Sequence, residues 1–355
     1  PEIDLVVIGE GEYTFLEICQ KMDRKGSFKN IRGIAFRQGG KMFRSAAREF
    51  ITDLDKIPFP ARDLVNLDNY HTPSHMDIGE KGVTLISSRG CPAQFTFCAS
   101  QVVAGRRFRA HSPDYVLREI DYLQEKYGFR YFIFEDDSFT IDKERVKEIC
   151  RLLIKRKKKI TWSCFGRVTT VDRPILKLMK KAGCYLIGYG IESGDKSIRQ
   201  NIKKGITEEQ CLKALKTSRE IGLKTQGFFM IGNPGETEET IQKTINLAIK
   251  LNPTLVFFSP LVPYPGTEIY NNLCGIYFDP SKNWSDYSAF GDNLALKLHN
   301  ISAERLKYYC SLANRRFYLR PAYLLERMKN LSSPAELKAS LLGAFALLSK
   351  SFRWG

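Results

Sequence analysis

Six apolar, strand-like runs alternate with amphipathic stretches of helical length across the middle of this chain, and that alternation limits the fold more than any other feature. The runs are Val83 to Ser87, Tyr131 to Glu135, Ile160 to Phe165, Leu186 to Ile191, Thr225 to Ile231 and Leu255 to Val262. Between them, Pro113 to Tyr127, Lys143 to Lys157, Pro174 to Ala182, Glu208 to Ile221 and Thr237 to Leu251 repeat apolar residues at helical spacing. Strands that follow one another through helices must lie parallel, with right-handed crossovers. The expected class is therefore α/β, either an incomplete (β/α)6 TIM-like barrel or a doubly wound sheet. The unusual residues cluster just after strands, the end at which barrels carry their sites, and this favours the barrel.

The flanks differ from this core. Ile3 to Ile8 followed by Gly9-Glu10-Gly11-Glu12 and a helical pattern through Phe15, Leu16, Ile18 and Cys19 predicts a strand, turn and helix of open, Rossmann-like α/β type. The turn lacks the third glycine of a dinucleotide fingerprint, and its two acids would repel a pyrophosphate. Ile31 to Phe36 with Gly39-Gly40 and Met42-Phe43 predicts a hairpin. Leu54 to Leu64, with Pro58 and Pro60, predicts an extended linker. Three segments follow: 1–60, 78–275 and 276–355. The chain opens at Pro1 on a strand-like run, so the natural protein is expected to start upstream, and no signal peptide is visible.

With 43% hydrophobic and 26% charged residues, the composition is that of a globular chain and excludes a disordered or fibrous one. Nine cysteines without framework spacing point to a reducing, cytoplasmic compartment in which thiols stay free or bind metal. The net charge of +16 asks for an anionic partner: nucleic acid, acidic lipid or a polyanionic substrate. The run Lys155 to Lys159 ends a helix on the barrel face away from the strand ends and reads as a solvated helix end. Gly105-Arg106-Arg107-Phe108-Arg109 follows the first strand-end loop directly, where it either meets an anion or covers the barrel mouth.

Chemistry concentrates at the strand ends. After the first strand, Cys91 and Cys98 stand seven residues apart on a loop opened by Gly90 and Pro92, which lets both sulfurs turn toward one soft metal centre. Glu135-Asp136-Asp137 after the second strand must be solvated or meet a cation. Ser163, Cys164 and Arg167 follow the third, and Arg167 has the planar fork that suits a carboxylate. Gly188 to Gly194 after the fourth includes Gly190, Glu192 and Ser193, with glycines where backbone must approach something closely. Gly232-Asn233-Pro234-Gly235-Glu236 and Pro263-Tyr264-Pro265-Gly266-Thr267 are turns after the fifth and sixth.

The order of these elements, from about residue 80 to 270, resembles the radical S-adenosylmethionine (SAM) superfamily, in the subgroup whose core follows a cobalamin-binding domain. The stretch from Cys91 to Cys98 resembles that family's Cys-x3-Cys-x2-Cys loop, with Phe97 as the aromatic before the last cysteine, but Phe95 stands where the middle cysteine belongs. The resemblance implies a [4Fe–4S] cluster on Cys91 and Cys98 and a SAM site drawing on Phe97, Asp136, Asp137, Ser163, Arg167, Gly190, Glu192, Ser193 and Gly232. It also implies an external electron donor, and methyl transfer or ring formation on an apolar or tetrapyrrole-like substrate. Phe95 opens a rival reading, a silent scaffold that binds SAM or a partner. Cys164, at the mouth end of the third strand, is the thiol best placed by sequence to replace the missing ligand. The segment 1–60 resembles the end of a cobalamin-binding domain, but Asp-x-His-x-x-Gly is absent, so cobalamin is expected only with a longer chain.

A tRNA-modifying relative would explain the charge, but such relatives usually end in a β-rich domain and this C-terminus reads as helical, which makes nucleic acid the weaker partner. Leu306, Tyr309, Cys310, Ala313 and Phe317 share one helix face. Ser333-Pro334-Ala335-Glu336 predicts the capped start of a last helix through Leu348, too short to span a bilayer but suited either to an acidic membrane surface or to packing under the barrel.

Overall fold

The computed structural model describes residues 3–72, 78–278, 283–288, 301–329 and 337. The six strands are β1 (Gly82–Leu85), β2 (Tyr131–Phe134), β3 (Thr161–Gly166), β4 (Cys184–Glu192), β5 (Lys224–Ile231) and β6 (Leu255–Pro260). They lie side by side in chain order, every neighbouring pair parallel. A doubly wound sheet reverses its strand order at a switch point, whereas crossovers of one hand that always advance in one direction put every helix on the same face. The unbroken order is therefore that of an open half-barrel.

The helices are α1 (Pro113–Tyr127), α2 (Lys143–Lys155), α3 (Arg173–Lys181), α4 (Glu208–Glu220) and α5 (Glu238–Leu251), each within a few residues of its expected bounds. Their starts are set by local chemistry. Ser112, Asp142, Asp172, Thr207 and Thr237 each accept a hydrogen bond from a backbone N–H of the first turn. A shorter helix, Lys196–Asn201, lacks a full period and was not expected; Asp195 caps it. The core lies between sheet and helices, with Phe132, Phe134, Trp162, Tyr189, Phe229 and Phe258 fully buried. All four residues of β2 are buried, because a parallel strand is covered on both faces.

Strand β6 is an edge, and the helix α6 (Ala303–Tyr318) covers it. Its buried face is the one that the periodicity marked. The Tyr318 hydroxyl accepts from the Val256 N–H and donates to the Val256 carbonyl, both at 2.9 Å, and so completes backbone groups that have no strand partner. Among the described residues no helix is long and apolar enough to cross a membrane. The helix expected from Ser333 to Leu348 lies outside the described residues except at Leu337.

Near the N-terminus, strand Leu5–Val7 and helix Glu12–Asp23 form the expected strand, turn and helix. The strand pairs antiparallel with Ile34–Gln38, which continues through Gly39 and Gly40, both at positive φ, into Lys41–Arg44. Among the described residues this segment therefore has no parallel strand pair, and its Rossmann-like character is limited to one strand and one helix.

Candidate functional site at the half-barrel mouth

The loop after β1 is closed at its root by a two-residue ribbon in which Ser88–Arg89 pairs antiparallel with Arg109–Ala110. Gly90 has φ +80°, and a Cβ there would lie 2.3 Å from the Arg107 carbonyl oxygen, so only glycine lets the loop turn this tightly. The Cys91 N–H donates to Gly105 O at 3.2 Å. At the tip, the Thr96 N–H donates to Ile202 O and its carbonyl accepts from the Ile269 N–H, which ties the loop to segments beyond β4 and β6. The loop is thus pinned across the mouth at both ends.

Cys91 is buried and Cys98 half-buried. Burial pushes the Cys98 thiol above its ordinary pKa, with Asp137 and Cys91 adding to the effect and Lys204 opposing it. The Phe95 ring lies parallel to Phe97, with centroids 5.8 Å apart. Lys204 Nζ stands 4.1 Å and Arg167 Cζ 5.2 Å from its centroid, a two-cation contact with one aromatic face system. Among the described residues no carboxylate pairs with Arg167.

Strand β4 ends in a bulge: Phe228 pairs with Gly190 and Phe229 with Glu192. Glu192 takes the left-handed conformation, φ +69°, uncommon for a residue with a side chain. Its carboxylate meets Lys204 Nζ at 2.9 Å, both side chains nearly buried. A Cβ on Gly190 would lie 2.6 Å from Glu192 Oε1 and 2.9 Å from Lys204 Nζ, so the missing side chain is the space that the ion pair occupies.

Other expected site residues are buried or hydrogen-bonded into the elements that carry them. Asp136 is 1% exposed, and its carboxylate accepts from Ser87 at 2.9 Å and Ser88 at 2.5 Å. Burial raises its pKa, against the Ser88 hydrogen bond and the Arg145 charge. It ties the root of the thiol loop to β2, while Glu135 and Asp137 are the exposed acids of the run, Asp137 accepting from Ser100. Ser163 accepts from the Tyr131 hydroxyl at 3.0 Å inside the sheet. Ser193, fully buried, bonds Thr244 and the Asp195 N–H. The Gly232 and Asn233 N–H groups both donate to Glu236, whose burial pushes its carboxyl up to about 7. Cys164 points to the helix side, where Cys184 and Cys150 surround it and burial raises its pKa, so it is not available as a replacement ligand.

Lys204, Ser87 and Ser88 were missed by sequence reasoning. Lys204 lies twelve residues beyond Glu192, a separation with no periodicity, and nothing in its neighbours marks it.

A half-barrel with a pinned thiol loop, a left-handed glutamate and a guanidinium stacked on Phe95 at one mouth defines an α/β class that collects its unusual residues at the strand ends. Comparison with known proteins narrows it. A profile of the Radical SAM superfamily matches residues 85–248. An uncharacterized methyltransferase of Pyrococcus horikoshii is 34% identical over 326 residues, covering 92% of this chain and 70% of the relative. The anaerobic magnesium-protoporphyrin IX monomethyl ester cyclase of Cereibacter sphaeroides is 30% identical over 280 residues, and the chain spans 45% of its length. Among solved structures, the radical SAM methyltransferase TsrM from Kitasatospora setae, with cobalamin and a [4Fe–4S] cluster bound, superposes with a TM-score of 0.63 at 17% identity, covering 98% of this chain and 69% of that one. The cobalamin-dependent SAM radical enzyme OxsB gives 0.69 at 17%, covering 97% and 56%. At such identities these likenesses show the fold.

The chain belongs to the radical SAM superfamily, whose enzymes use a [4Fe–4S] cluster and SAM. Its own residues do not complete the cluster's ligand set. Of the thiol loop only Cys91 and Cys98 could supply thiolates, Phe95 has no donor atom, Cys164 faces away, and among the described residues no group of three or more potential ligands converges.

Proposed function

We propose that this chain is the SAM-binding half-barrel of a methyltransferase that acts on an apolar or tetrapyrrole-like substrate. The convergence of Arg167, the Glu192–Lys204 pair and the glycine seat at 190 on one mouth carries the reading, and the named methyltransferase that aligns with most of the chain supports the reaction class. Ring formation is the second reaction class, supported by the cyclase relative. In this reading Arg167 takes the carboxylate of SAM through its planar fork. Glu192 accepts from the ribose, with Gly190 letting the backbone come close, and Phe97 and the Gly232 turn bound the nucleoside. Asp137 and Glu135 face the amino group, while Asp136, Ser163 and Ser193 hold the elements that carry those groups.

Because the ligand set is incomplete, no reductive step is assigned to this chain, and an external electron donor is needed only once a third thiolate is present. The fit of Phe95 between Lys204, Arg167 and Phe97 favours a SAM-binding scaffold as the second reading. Nine free thiols support a reducing cytoplasm, and the net charge of +16 supports contact with an acidic surface. Calorimetric titration with SAM tests the site. Binding should weaken about tenfold or more in Arg167→Ala and in Glu192→Gln. Absence of binding to the native chain would overturn the assignment.

A further inference from the structure

Arg89 and Arg109 stand directly opposite each other in the ribbon that closes the thiol loop. Like charges in that relation push a strand pair apart unless something neutralises them. What neutralises them comes from the far end of the chain. Glu10 Oε1 accepts from Arg89 at 3.1 Å and from Arg109 at 2.7 Å, and Glu10 Oε2 accepts from Arg109 at 2.9 Å and from the Ile51 N–H at 2.7 Å. Glu12 takes the other arm of Arg89 at 2.5 Å. The side chains of Glu10 and Arg109 are 8% and 4% exposed, and among the described residues Glu10 is the only carboxylate paired with Arg109.

The contact reaches the cysteine itself. Arg109 also donates to Ala104 O at 2.9 Å, and the next carbonyl, Gly105 O, accepts the Cys91 N–H. Phe50, on the segment after the N-terminal hairpin, packs on Gly105 so closely that a Cβ there would lie 2.7 Å from its ring, and it stacks 4.8 Å from the Arg109 guanidinium. The acids that argue against a phosphate site in the Gly-Glu-Gly-Glu turn thus have a partner, and it is the root of the loop.

We propose that Glu10 is a positioning residue for the thiol loop: it holds two opposed arginines together, and through them the N-terminal segment sets whether the loop around Cys91 is closed. The inference goes beyond the proposed activity, since loop closure is measured without SAM or iron.

The test is alkylation of the native chain and of Glu10→Gln under non-denaturing conditions, read thiol by thiol by mass spectrometry. In Glu10→Gln, Cys91 should label about tenfold faster or more, because a buried charge pair loses its anion, while the core thiols Cys150 and Cys164 stay protected. The second variant separates positioning from general weakening. Removing the cation that only Glu10 neutralises relieves both the repulsion and the orphaned buried charge, while Arg89 keeps Glu12, so Glu10→Gln with Arg109→Gln should restore Cys91 protection toward the native rate, whereas unrelated structural losses would add. Unchanged Cys91 labelling in Glu10→Gln overturns the proposal, and so does a double variant that labels as fast as the single one or faster. If Glu10→Gln also exposes Cys150 and Cys164, the double variant decides alone by whether it re-protects all three.

Discussion

Glu192 and Lys204 form their nearly buried ion pair in the volume that a side chain at residue 190 would fill. Position 190 is therefore bound to glycine by the pair rather than by its own backbone angle. Glu192, at the bulged end of β4, is held in a left-handed conformation with Lys204 on one side, and the same lysine stands over Phe95. One cation thus links the strand end to the thiol loop.

Gly190→Ala should leave the fold standing, because the atoms it meets are the ends of flexible side chains, but the pair must leave its seat. We expect a loss of about 1–3 kcal/mol in urea unfolding, with SAM affinity reduced alongside. Native-like stability together with native-like affinity would show that the pair does not need this space.

Phe95→Cys restores the family's three-thiolate pattern beside a lysine that favours a thiolate. Reconstituted anaerobically with iron and sulfide, it should gain the broad visible absorption of a [4Fe–4S] centre and release 5′-deoxyadenosine from SAM under reduction, while the native chain does neither. Equal behaviour of the two forms would show that the ligand assignment is wrong.

Glu236 carries a pH signature. Burial pushes its carboxyl from 4.5 to about 7, against the hydrogen bonds from Asn233 and Gly232, so the folded state holds the proton more tightly than the unfolded one. The group therefore lowers stability as pH rises through the window from about 4.5 to about 7, by roughly 3 kcal/mol at the upper end. Glu236→Gln keeps an acceptor for the two N–H groups and should flatten the melting temperature over that range. A native-like pH slope in the variant would assign the titration to another group.

Tyr318→Phe removes the hydroxyl that serves both Val256 backbone groups at the β6 edge. Two buried polar groups lose their partner, and chemical denaturation should report a loss of about 1–3 kcal/mol without a change in SAM binding. A neutral result would mean that solvent reaches the edge.

The sequence by itself determined the alternation of strands and helices, their order, and the end of the sheet at which chemistry collects. These depend on apolar periodicity and on caps such as Ser112, Asp142 and Thr207, all of which act within a few residues. Cys91, Phe95 and Cys98 were legible for the same reason, as one loop. Only the tertiary structure decided which neighbours face which way: Asp136 turns inward to Ser87 and Ser88 while Asp137 stays exposed, and Cys164 faces the helices. It alone brought Lys204 to Glu192 and Phe95, and Glu10 to Arg89 and Arg109, 79 and 99 residues away. A charge carries no periodicity and no local signal of its partner, so pairs of this kind come into being only when the faces that carry them are packed together.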